Sequence, residues 1–145
     1  MLTDLIAAHA DDATAILHAQ GHATIWPTLD GRGLDLPTLA ALGLVLHGQP
    51  VSAPALGIVQ LTFVLLVADG DDGPALHQLP PALSLALAQL PQDQVAAMTE
   101  AWAGAAPAAF QRWDLRELRA FLAELSAFAA SAMAQGQQLL LWTCP

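Results

Sequence analysis

The side chains with which this chain could do chemistry are five histidines and thirteen carboxylates, set against four arginines and no lysine. His18 and His22 stand four residues apart, the spacing that places two imidazoles on one helical face for a metal ion. Gly21 interrupts that face, and no neighbouring Glu or third ligand completes the set, so His18 and His22 are thin metal candidates. Asp69, Asp71 and Asp72 alternate with Gly70 and Gly73, and carboxylates in such an array can surround a hard cation. A helix-loop-helix calcium loop also needs Gly at its sixth place and Glu at its twelfth, and those places here hold Pro74 and Pro80. The acidic run reads instead as a solvated turn at the end of a strand. His47 sits near the end of a helix, where its proton suits the helix dipole. His9 and His77 read as loop or solvent residues.

Nucleophiles find no setting. Ser52, Ser84, Ser126 and Ser131 lie in no Gly-x-Ser-x-Gly elbow, and Cys144 is next to the last residue, Pro145. Gly31-Arg32-Gly33 is a turn and not a phosphate cradle, and neither GxxxxGK[ST] nor GxGxxG occurs, which disfavours nucleotide chemistry. No cofactor is implied. Trp102 and Trp113 flank a segment containing Phe110; helical aromatics usually belong to the core, and the alternative is an aromatic partner surface.

Charge narrows the partners. The formal net charge is −9, so phosphate backbones are repelled and nucleic acid is not an expected partner. Arg112, Arg116 and Arg119 cluster near the start of the last helix and read as its solvated face. A single Cys excludes an internal disulfide and a multi-thiolate zinc site, and it fits a reducing cytoplasm. The N-terminus lacks the basic region of a secretory signal. Residues 55–68 are apolar but shorter than the ~20 residues that cross a bilayer, so no membrane is expected. The absence of Lys, Asn and Tyr beside abundant Ala and Leu reads as the coding bias of a GC-rich, bacterial genome.

The elements that must position these groups follow from caps and periodicity. At 145 residues and 55% hydrophobic composition, one domain spanning 1–145 with one core is expected. Thr3 or Asp4 can cap a helix running to about Gln20, with a break near Asp11-Asp12. Residues 23–29 read as extended, because Trp26 precedes Pro27. Asp35 caps a helix over residues 36–47, and residues 49–54 form a connector. Residues 58–68 read as a central strand, apolar on both faces. Pro80-Pro81 opens a helix to about Leu90, and residues 92–103 form another, with Val95, Met98 and Trp102 on one side. Asp114 and Glu117 form the capping box of a long amphipathic helix to Gln135, on which Leu115, Leu118, Leu122, Leu125 and Ala129 share a face. Residues 139–143 then pair with the central strand, with the Trp26 segment as a third. The fold class is α+β, mostly helical, with a small sheet of two or three strands.

From Gly73-Pro74 through Leu79-Pro80-Pro81, residues 97–102 with Glu100, the Leu-rich last helix and the ending 137–142, the order of residues resembles small uncharacterised bacterial proteins of the YfbM-like group. That resemblance implies a small mixed or mostly helical domain and transfers no catalytic residue. Three functions are compatible with the sequence. The first is a non-enzymatic protein-binding module, of the immunity or antitoxin kind, whose acidic face meets a basic protein through Asp69, Asp71, Asp72, Trp102 and Trp113. The second is a ligand binder or enzyme whose cleft gathers dispersed Asp and His side chains. The third is a self-associating subunit, a homodimer at its simplest.

Overall fold

The computed structural model describes Met1–Pro145. Five strands make one antiparallel sheet: β1 (Leu2–Ala8), β2 (Thr28–Asp30), β3 (Val64–Ala68), β4 (Ala75–Gln78) and β5 (Gln138–Cys144), in the order β2-β1-β5-β4-β3. Six helices complete the fold: α1 (Ala13–His18), α2 (Leu36–Leu46), α3 (Ala53–Gln60), α4 (Pro81–Ala88), α5 (Val95–Ala105) and α6 (Leu115–Ala134).

Because neighbouring residues of a strand point to opposite faces, the sheet has two apolar sides. Leu5, Ala7, Leu139 and Leu141 face α2, α4, α5 and α6 in the larger core, which also buries Leu39, Leu42, Trp102, Leu118, Leu122 and Leu125. Ile6, Ala8, Leu76 and Leu140 face the other way and are covered by Ala13 and Ile16 of α1. The caps expected at Asp35 and Asp114 form, the second without the return bond from the Glu117 side chain that a full capping box has. The Asp35 carboxylate accepts from the Thr38 N–H at 3.0 Å and its hydroxyl at 2.6 Å, and Asp114 accepts from the Glu117 N–H at 2.7 Å. Trp102 Nε1–H donates to Thr38 O at 2.9 Å, tying α5 to the first turn of α2, and the Ser126 hydroxyl donates to Leu87 O at 2.7 Å, tying α6 to α4.

The sheet corrects the expectation of two or three strands, and each correction has a physical reason. Residues 2–8 form β1 rather than the start of a helix: Thr3, Leu5 and Ala7 are buried on one face and Ile6 and Ala8 on the other, so the alternation that marks a strand is erased. Residues 58–68 are not one central strand. Ser52 accepts from the Ala55 N–H at 3.2 Å and, with Pro54 in the first turn, opens α3, which runs to Gln60; only residues 64–68 are extended, and they lie at the sheet edge. The C-terminal strand β5 takes the central place and pairs with β1 and β4, not with β3. His77 lies in β4 rather than in a loop. Residues 22–24 form a short 3-10 turn, and extended structure begins at Thr28.

Candidate interaction surface

The acidic loop is the tip of the β3–β4 hairpin. Asp69 N–H donates to Pro74 O at 2.9 Å, closing the turn. Gly73 packs so closely that a Cβ there would overlap Asp69 O, so the loop requires glycine at that place. Held this way, Asp69, Asp71 and Asp72 are all exposed. The only basic side chain in contact with a carboxylate is His22, against Asp4, so no cationic side chain neutralises the three carboxylates of the loop. No group of three or more His, Cys, Asp or Glu side chains is arranged to hold a metal ion, and the loop is no exception.

Beside this tip lies an apolar edge. Val64 and Leu65 of β3 are 54% and 56% exposed, and Ile58 and Leu61, one turn apart at the end of α3, are 68% and 85% exposed. No residue of α3 is buried. Residues 48–68 contain no charged side chain and no proline within β3, so the edge lacks the lysines and prolines that commonly blunt such strands; its one irregularity is a bulge between Leu65 and Val67. Ile58 also lines, with Gly43, Leu44, Val59 and Leu83, an apolar groove of about 460 Å³ between α2, α3 and α4.

The other sequence candidates have structural places. Trp102 is wholly buried, and its ring meets Phe110 at 4.8 Å, edge to face. Phe110 meets Trp113, and Trp113 meets Phe121 at 5.5 Å, so the aromatics run as a chain from the core outwards. Only Trp113 reaches the surface, where the Arg32 guanidinium covers it at 4.3 Å from the ring centroid. The two tryptophans therefore form no common exposed surface with the acidic loop.

His18 ends α1, and Gly21 turns the chain with φ +85° before His22 enters its 3-10 turn, so the two imidazoles do not share a helical face. His22 Nε2 hydrogen-bonds instead to Asp4 Oδ2 at 2.7 Å, and its ring lies 4.8 Å from that of Trp142. Asp4 stands opposite Trp142 on one side and Asp30 on the other. Asp4, Asp30, Arg32 and Trp142 border a shallow recess of about 550 Å³. A carboxylate bonded to an imidazole can orient that ring for proton transfer. The ring makes no hydrogen bond to a Ser, Thr or Cys hydroxyl or thiol, so the visible work of the pair is to pin residues 19–26 on the sheet. The pair depends on Asp4 standing on a sheet face, which a helix over residues 2–8 with Asp4 at its cap does not provide.

His77 is a separate case. It is partly buried, its Nδ1 is sealed from water without a hydrogen-bond partner, and desolvation pulls its pKa below the ordinary 6.5.

No family model, curated protein or solved structure matches this chain.

Proposed function

We propose that this chain is a non-enzymatic protein-binding module of a bacterial cytoplasm, of the immunity or antitoxin kind, whose hairpin tip meets a basic protein. The observation that carries the reading is the set of three exposed carboxylates, Asp69, Asp71 and Asp72, held on a closed turn with no cation of their own. Carboxylates left unpaired at a surface gain most from a partner that brings arginine or lysine, and a net charge of −9 adds long-range steering towards such a partner. The test is native mass spectrometry of the protein purified from its own host at low salt. The expected result is a retained basic protein that dissociates as salt rises and is lost when Asp69, Asp71 and Asp72 are all replaced by Asn. A spectrum with no bound basic protein, or one retained equally by the Asn variant, contradicts the reading.

A further inference from the structure

We infer that the β3 edge is the interface between two copies of this chain, joined antiparallel into a continuous ten-stranded sheet. This inference is independent of the basic partner. β3 has a neighbour on one side only, β4, and its other side offers a row of backbone donors and acceptors. An identical strand is a suitable occupant for reasons of charge. Two molecules that each carry −9 repel one another across most of their surfaces, but residues 48–68 are free of charge, so the edge is a place where copies can approach.

Direction follows from the acidic loop. If two copies of β3 run antiparallel about a two-fold axis near Leu66, Val64 of one faces Ala68 of the other, and Asp69 of one falls beside Phe63 of the other. The two acidic tips thus end up at opposite ends of the joint and never meet. A two-fold arrangement is also self-limiting: each edge is consumed by the other, which closes the assembly at two.

Apolar side chains flank the joint on both faces of the sheet: Val64, in line with Gln78 and Leu140, stands on the α1 side and Leu65, in line with His77 and Leu141, on the side of the larger core, and each is more than half exposed. The outer edge of β2 offers no such pair: it is three residues long and ends in Asp30.

The decisive experiment is sedimentation equilibrium of the purified chain over about 1–100 μM, in low and high salt, with Leu65→Lys, Val64→Lys and Leu115→Lys alongside. All three sites are already exposed, so the substitutions leave the core untouched. The wild type is expected to be a dimer at the upper concentrations and to tighten as salt screens the repulsion between copies. Leu65→Lys and Val64→Lys each raise the dissociation constant at least ~10-fold, whereas Leu115→Lys, on α6, changes it less than ~2-fold. A wild type that stays monomeric, a dimer indifferent to both β3 substitutions, or a dimer that weakens with salt overturns the inference. Salt loosens the proposed basic partner and tightens this dimer, so the failure of either reading is visible apart from the other.

Discussion

β5 and β3 are both apolar strands of one sheet, Leu139 to Trp142 in the first and Val64 to Val67 in the second, yet they have opposite surroundings. In β5, Leu139, Leu140 and Leu141 are no more than 2% exposed, flanked by β1 and β4 and covered on both faces. In β3, the first two residues are more than half exposed and one side of the strand is unpaired. An apolar run therefore has two meanings in this molecule. One run completes a core inside the chain, and the other is left for a surface outside it, next to three carboxylates that also lack internal partners. The difference arises from what the chain places alongside each strand, not from the composition of either.

Substitutions in the two strands should have unequal effects. The largest effect is expected in β5: Leu140→Ala removes a wholly buried side chain and should cost about 3 kcal/mol in urea unfolding, while Leu65→Ala in β3 should stay within ~0.5 kcal/mol at concentrations where the protein is monomeric. Equal losses at the two sites would remove the distinction. A smaller loss, about 1–3 kcal/mol, is expected for Gly73→Ala, because the added Cβ overlaps Asp69 O and forces the acidic turn to rearrange. The same variant should bind the proposed basic partner less well, whereas a loop that accepts alanine without change in stability would show that the turn is not held as described.

The smallest effect concerns pH and β4, the strand between the two. The folded pKa of His77 lies below its unfolded 6.5, so the unfolded chain binds the proton more readily. The stabilising contribution of the neutral ring is fully present above pH 6.5 and declines as pH falls from 6.5 towards the folded pKa. His77→Gln should flatten the pH dependence of the melting temperature in that window and leave it unchanged above it. A variant with the same acid slope as the wild type would assign that slope to other groups.

Helices were largely legible from the sequence and strands were not, and the reason lies in what each signal requires. Asp35, Asp114, Pro81 and Gly136 mark helix ends by local chemistry, so α2, α4 and α6 are found within a few residues of where caps and periodicity put them. The Ser52 and Pro54 signature of α3 is equally local, but it falls in a stretch that looks like a connector and precedes an apolar, β-rich run that looks like a strand. β1 was hidden because both of its faces are buried, which makes an Ala-rich strand look like the start of a helix. Whether β3 or β5 lies at the sheet centre depends on pairing between distant segments, and no spacing within either strand records it. The acidic tip was legible as a solvated turn, whereas the bond between Asp4 and His22 needed a strand and a turn to be brought together in space.

The central claim, that β3 and its acidic tip form the working surface while β5 forms the core, is tested most directly by amide hydrogen exchange at two protein concentrations, about 1 μM and about 100 μM. At the lower concentration the outward amides of β3 should exchange fast and those of β5 slowly. At the higher one β3 should gain protection, with β2, the opposite edge, unchanged. Protection in β3 that is independent of concentration, or that rises equally in β2, would contradict the claim.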